Sequence, residues 1–356
     1  IFNNKKSFFG SISFSNKIHK ITKEKENSEN IIIPGFIDPH CHGAIGADTM
    51  QGYDAINKMS LYHLEHGTTS ILPSTWTSTL NHTLNALKNI KNKNRAGNIF
   101  GIHLEGPFIN PNKLGAQPAL SKEPSIEFLD KVLDIADVKT MTVAPELDGM
   151  DSFIEYINSK KIGIQFGHSL ASSECCKKYM DKYSISFTHL YNAMSGNDHR
   201  NPGVLSAALA YGKYAEIICD KLHVSKEAIK IAHKSINNLY AVTDSVSVNG
   251  LEDGKYKLFK NDIVKKGNNI TLKDNDTLAG SVVTMYDIFI NLINLGYKID
   301  EVIAMTSSNA AEFLNLNNVG QIKENYFSNF IVLDEKYKIK DVYLKGEKVE
   351  KKFISS

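Results

Sequence analysis

His40 and His42 stand two positions apart, at the end of a β-branched and apolar run that closes on Gly43. Residues i and i+2 of a strand project to the same side, so one strand end can offer both imidazoles to a single cation. Cys41, between them, points the other way and reads as packing. A second run ends on Glu105, in Gly101-Ile-His103-Leu-Glu105-Gly-Pro107. A carboxylate closing a buried strand is costly unless a cation or a hydrogen-bond network compensates it, which makes Glu105 a candidate ligand. His103, on the same face but deeper, reads as a supporting residue and not a ligand. Two more runs close on Gly167-His168-Ser169 and on Thr188-His189-Leu-Tyr-Asn192-Ala193-Met194. Four imidazoles and one carboxylate form a nitrogen and oxygen donor set suited to Zn²⁺ or Fe²⁺. A last run closes on Thr243-Asp244-Ser245. Asp244 can take a proton from water and return it to a leaving nitrogen. A metal that lowers the pKa of water from about 15.7 to about 7 and polarises an amide carbonyl completes a hydrolytic chemistry.

These residues need a scaffold that brings many strand ends together. Short continuous apolar runs occupy 31–39, 68–76, 98–106, 138–145, 161–167, 184–188, 214–219 and 239–243. Continuous runs are expected where both faces of a strand are buried. Helix-sized amphipathic stretches lie between them, as at 53–66, 125–136, 173–183 and 226–236. Eight strand–helix units predict an α/β fold, a (β/α)8 TIM-like barrel with its site at the C-terminal mouth. Two more helical stretches, 282–296 and 299–314, precede a strand-rich tail with runs at 330–333 and 342–344. The head, 1–22, also alternates. A lone hairpin is marginal, so the two ends are expected to pair as a small β-sandwich domain, 1–33 with 317–356, around a catalytic barrel over 34–316.

The bulk numbers exclude several classes. At 356 residues, with 42% hydrophobic and 22% charged, the chain reads as an ordinary globular protein. A net charge of +2 gives no basic field for nucleic acid. No apolar run is long enough to span a bilayer, and the head lacks a signal-peptide pattern. Cys41, Cys175, Cys176 and Cys219 match no zinc ribbon or disulfide framework, which points to reduced thiols in the cytoplasm. The other histidines, His19, His63, His66, His82, His199 and His233, fall in predicted helices or loops and read as surface or packing residues.

The motifs above, with Arg200-x-Pro202-Gly203, Leu278-Ala-Gly-Ser281 and the closing Val319-Gly-Gln-Ile322 and Phe330-Ile-Val-Leu-Asp334, resemble in order the N-acetylglucosamine-6-phosphate deacetylase family of the amidohydrolase superfamily. The resemblance covers essentially the whole chain. It implies that Glu105, His168 and His189 hold a principal metal, and that His40 and His42 equip the chain for a second ion bridged by Glu105. The cofactor is then one or two divalent ions per subunit, with zinc expected and iron or manganese as alternatives. Asp244 becomes the general acid/base. Asn192 and the backbone of Ala193 would position the sugar or its phosphate, Arg200 and His223 would contact the phosphate, and Leu278 would touch substrate. An arginine fork with an imidazole suits a dianionic phosphate. The implied partner is a small amino-sugar phosphate, in a homodimer whose neighbouring subunit can supply phosphate contacts.

Three positions depart from the family pattern. Gln117 stands where many members have a histidine that polarises the substrate carbonyl, a role its amide N–H could still fill. Asn201 replaces the usual glutamate beside Arg200, and the N-terminal portion is short. The implied reaction is hydrolysis of the acetamide of N-acetyl-D-glucosamine 6-phosphate to glucosamine 6-phosphate and acetate, in amino-sugar catabolism. The alternatives are an epimeric or unphosphorylated acetylated substrate, or a sugar-phosphate binder without turnover.

Overall fold

Each of the expected apolar runs contains a strand in the computed structural model of the chain. The structure describes all residues except 4, 5, 26–29, 93, 94, 260, 274–276 and 354–356. The strands are β1 (Phe36–Cys41), β2 (Thr68–Thr75), β3 (Ile102–Glu105), β4 (Val138–Val143), β5 (Gly163–Phe166), β6 (Ile185–Phe187), β7 (Tyr214–Ile218) and β8 (Asn238–Val242). β1 to β6 form one parallel sheet in chain order, and β7 and β8 form a parallel pair. β6 lies beside β7 and β8 beside β1. At those two seams Leu190 N–H donates to Glu216 O and Asp244 N–H to His40 O, each at 2.9 Å. The row of strands therefore returns on itself, and all its C-terminal ends face one mouth. Every residue of β1 and β2 is buried, as a continuous apolar run requires when helices cover the outer face.

The connecting helices begin where the sequence offers a cap. Ser125, Ser172 and Ser225 accept from the backbone N–H three residues on, and Thr284 forms a reciprocal capping box with Asp287. Such caps are each worth about 1 kcal/mol. Two boundaries differ from the sequence expectation. The run 31–39 is two strands: Ile31–Pro34 pairs antiparallel with Phe330–Leu333, and β1 starts after Gly35. A Cβ at Gly35 would sit 2.1 Å from Thr69 Oγ1, so the chain needs glycine where it passes from one sheet to the other. The stretch 299–314 is interrupted by a π-turn over Ala304–Ser308, where Ser307 Oγ donates to Gly35 O at 2.6 Å.

The two chain ends meet beside the barrel. The sheet runs Glu347–Lys348, Ile339–Leu344, Phe330–Leu333, Ile31–Pro34. The hairpin Gly10–Phe14 and Ile18–Lys23 sets Phe14 edge-on to Phe330 and Tyr343, at 5.0 and 5.4 Å between ring centroids. Positions 4, 5, 26–29 and 354–356 of the expected terminal domain lie outside the described residues. A three-stranded antiparallel sheet, Gly254–Leu258, Asn261–Lys266 and Asn269–Leu272, follows β8. Phe259 in its first turn packs edge-on against Trp76 at 5.1 Å, so this insertion leans over the barrel mouth.

Candidate metal centre and active site

Glu105 ends β3 at the centre of the mouth, with its carboxylate between two pairs of imidazoles. Its Oε1 lies 3.0 Å from His168 Nε2 and 3.1 Å from His189 Nε2. Its Oε2 lies 3.0 Å from His42 Nε2 and 3.4 Å from His40 Nε2. Within each pair the Nε2 atoms nearly touch, 3.2 Å apart for His40 and His42 and 3.0 Å for His168 and His189. His40, His42 and Glu105 form one group whose ligand atoms all lie within 4.8 Å, and Glu105, His168 and His189 form another.

The opposite ring nitrogens decide what this cluster can hold. His40 Nδ1 is 2.9 Å from Glu216 Oε2, His42 Nδ1 is 3.1 Å from Ser74 O, and His168 Nδ1 is 2.8 Å from Lys113 O. A carboxylate or carbonyl only accepts, so each of these Nδ1 atoms carries the proton and leaves its Nε2 lone pair aimed at the centre. Facing lone pairs repel unless a cation sits between them. The donor set therefore fits a divalent ion in either half, held by imidazole nitrogen and carboxylate oxygen. His189 Nδ1 alone of the four is buried without a hydrogen-bond partner among the described residues.

Charge follows from this geometry. Burial would raise the Glu105 carboxyl, but the His40 charge and the imidazole contacts outweigh it and hold the group well below its usual range. Burial likewise works against positive charge on His40, yet Glu105, Glu216 and Asp244 push its pKa well above the usual value, so Nε2 takes either a second proton or a cation. His103, one layer below, is depressed to about 3, first by burial and then by the His40 charge. It sits between Ser74 Oγ at 2.9 Å and Thr142 Oγ1 at 2.8 Å, away from the donor atoms.

Asp244 follows β8 with its Oδ1 3.4 Å from His42 Nε2 and 3.5 Å from His40 Nε2, and its side chain keeps 13% exposure. It is thus close to the donor set yet open to the mouth. His168, His189 and Asp244 all have positive φ, at 49°, 29° and 46°. Such backbone costs about 1–3 kcal/mol per residue, and here it turns three strand-end side chains inward.

A cavity of about 440 Å³ opens over this centre. Glu105, His168, His189, Asp244, Gln117, Asn192, Ala193, His223 and Leu278 line it, together with Trp76, Lys113 and Gly280. His40 and His42 are fully buried beneath its floor. Gln117 is anchored by Thr77 N–H, which donates to its Oε1 at 2.7 Å, and its Nε2 donates to Glu105 Oε2 at 2.5 Å. In this arrangement one of its two N–H bonds goes to the central carboxylate, while Gln117 also lines the cavity. His223 Nδ1 is 2.7 Å from Asp220 Oδ2, and that bond and charge raise its pKa against the effect of burial. Arg200 does not reach the cavity of its own chain: it lies exposed in the loop before the helix Val204–Tyr211, its N–H donating to Asp198 Oδ1.

Several contributors escaped the sequence reading. Trp76 stacks on His42 at 3.9 Å and donates its indole N–H to Asp48. Ser74 serves three groups, through O to His42 and through Oγ to His103 and Cys41 N–H. Asp38 accepts from Thr243 N–H and Oγ1, and burial pushes its carboxyl up to about 7. Asp38 was visible two positions before His40 on the same strand face. Glu216 was visible as the lone charge in an apolar run. His63, read as a surface or packing residue, is fully buried with Nε2 3.3 Å from Cys41 Sγ.

Residues 31–349 match the Amidohydrolase family. The chain is 36% identical to the N-acetylglucosamine-6-phosphate deacetylase of Bacillus subtilis over 72% of this chain and 68% of that protein. Among solved structures it is similar to the N-acetylglucosamine-6-phosphate deacetylase of Thermotoga maritima, with 29% identity and a TM-score of 0.88 over 96% of this chain and 95% of the other. It is similar as well to a mutant of the Mycobacterium smegmatis N-acetyl-D-glucosamine-6-phosphate deacetylase in complex with N-acetyl-D-glucosamine-6-phosphate, with 27% identity and a TM-score of 0.87 over 94% and 93% of the two chains.

Proposed function

Since the chain belongs to the amidohydrolase family, and within it to the N-acetylglucosamine-6-phosphate deacetylases, we propose that it hydrolyses the acetamide of N-acetyl-D-glucosamine 6-phosphate to glucosamine 6-phosphate and acetate, in amino-sugar catabolism. The observation that carries the reading is Glu105 between two Nε2-facing histidine pairs, under a cavity that Asp244 enters from one side. Glu105, His168 and His189 would hold the principal ion, and His40 and His42 with Glu105 would hold a second. A divalent ion so held would supply Lewis acidity to the acetamide carbonyl and to water.

The chain's own residues do the rest. Asp244 takes the proton of the attacking water and passes it to the amide nitrogen as the C–N bond breaks, so acetate and the free amine leave. Asn192, the Ala193 backbone and Leu278 orient the sugar across the cavity. His223, held at Nδ1 by Asp220, would meet the phosphate. Arg200 acts on the site of a neighbouring subunit in a homodimer, a role its exposed place outside its own cavity supports. We assign zinc as the ion, the cytoplasm as the compartment and a β-sandwich domain to 1–33 with 317–356. Four free cysteines support the compartment, and no helix among the described residues is long and apolar enough to cross a membrane.

The test is acetate release from N-acetylglucosamine 6-phosphate beside the unphosphorylated sugar, with protein loaded in turn with Zn²⁺, Fe²⁺ and Mn²⁺. Turnover of the phosphorylated sugar alone is the expected result. No acetate from either sugar, with folded and metal-loaded protein, overturns the reading.

A further inference from the structure

Glu216 lies in the middle of β7, fully buried, and touches both halves of the donor set. Its Oε2 accepts from His40 Nδ1 at 2.9 Å and from His189 N–H at 3.1 Å. Its Oε1 accepts from Gln165 Nε2 at 2.6 Å. Gln165 cannot flip freely, because Thr140 Oγ1 donates to its Oε1 at 2.5 Å. Three donors converge on the two oxygens, which is the pattern of an ionised carboxylate. Among the described residues the only ion-pair partner of this charge is His40. A buried charge needs a compensating one nearby. Glu216 occupies the Nδ1 side of His40, so a compensating cation meets that ring at Nε2, in the half of the site that also contains His42.

We propose that Glu216 is a positioning residue that makes the His40/His42 half a second cation site: it fixes the His40 tautomer, and its buried charge calls for a cation at that ring. The inference rests on the reading of the cluster as a metal centre. Glu216→Gln keeps the shape and removes the charge. The variant's amide oxygen can still accept from His40 Nδ1 and the His189 N–H. What is lost is the charge that draws a cation to that ring, and Gln165 N–H₂ faces an amide N–H₂ in place of an acceptor.

The experiment loads wild type and Glu216→Gln with Mn²⁺ and reads ions per chain by plasma emission and the pairing of the ions by electron paramagnetic resonance. Wild type should bind two ions with a spin-coupled spectrum. Glu216→Gln should bind the first ion as tightly and the second about 10- to 100-fold more weakly, with the spectrum of an isolated ion. A wild-type count and coupled spectrum in the variant would overturn the proposal, as would a wild type that holds one ion only. Should Glu216→Gln fail to fold, His40→Leu and His40→Leu/Glu216→Gln replace it. The single variant leaves the carboxylate buried without its partner, so the double variant should melt at the higher temperature; an equal or lower Tm contradicts the charge argument. Ion counting does not depend on the substrate. Absent acetate release with the expected counts would therefore refute the deacetylase reading and leave this one standing.

Discussion

His168 Nδ1 donates to the backbone carbonyl of Lys113 at 2.8 Å, joining a candidate metal ligand to the loop that walls the cavity. Among the described residues, Lys113 is also the one Lys or Arg lining that cavity. Substitution by alanine keeps the carbonyl and removes the ammonium, so the two roles separate. Lys113→Ala should retain its metal and its kcat, while KM for the phosphorylated sugar rises about tenfold to a hundredfold through loss of a charge-assisted contact. Steady-state kinetics with both sugars check this. An equal effect on the unphosphorylated sugar would mean that the side chain shapes the loop and does not meet the phosphate.

Asp244 approaches the donor nitrogens no closer than 3.4 Å and keeps an open face to the cavity. That open face, with 13% of the side chain exposed while His40 and His42 are fully buried, suits a group that handles a proton beside the metal. Asp244→Asn should therefore lower kcat by about 10²- to 10⁴-fold and leave the ion content unchanged. Turnover near that of the wild type removes the assigned acid/base, and loss of metal would recast Asp244 as a ligand.

How much of this was legible depended on how far each signal travels along the chain. The barrel strands were readable because parallel strands covered on both faces must be continuously apolar, and the runs 68–76 and 138–145 contain Thr68–Thr75 and Val138–Val143. The split at Gly35 was not readable, because the reason for it is Thr69 pressing on that position from the neighbouring strand. The π-turn inside 299–314 is tied through Ser307 to a carbonyl 272 positions away. Ligand candidates stood out as polar residues at the ends of apolar runs. Their supports did not, since Glu216 meets His40 across 176 positions and Ser74 meets His42 through a backbone atom that any residue would offer. Arg200 is the reverse case: its motif is plain in the sequence, but its place in the fold leaves it outside the cavity of its own chain.

His223 and Asp220 set a pH dependence. Asp220 Oδ1 also accepts from the N–H groups of Leu222 and His223, so the carboxylate both places the imidazole and charges it. The His223 pKa is raised by the Asp220 bond and charge acting against burial. A raised pKa means that the imidazolium is present at pH values below it and is lost as pH rises through it. Affinity for the phosphorylated sugar should thus be full at lower pH and fall on the alkaline side, where KM climbs. Asp220→Asn removes the charge, so the same rise in KM should begin at lower pH. A KM profile that does not move in Asp220→Asn would take His223 out of phosphate binding.

Gly280 holds the segment behind Asp244. Its φ is +75°, and a Cβ there would lie 2.5 Å from Val246 Cγ1 and 3.0 Å from Asp244 O. Ser281 N–H donates to that same Asp244 carbonyl at 2.8 Å, and Ser281 Oγ donates to Thr243 O at 2.5 Å. Gly280→Ala must accept both a left-handed backbone and a contact that only a shift of Val246 or of the Asp244 main chain can relieve. The backbone term costs about 1–3 kcal/mol, which calorimetry should record as a lower Tm. Because the displaced atoms belong to the residue that carries the proton, kcat should fall further than the lost stability explains, with KM little changed. If the variant melts lower but turns over as the wild type does, the strain is absorbed on the Val246 side and the segment only supports the fold.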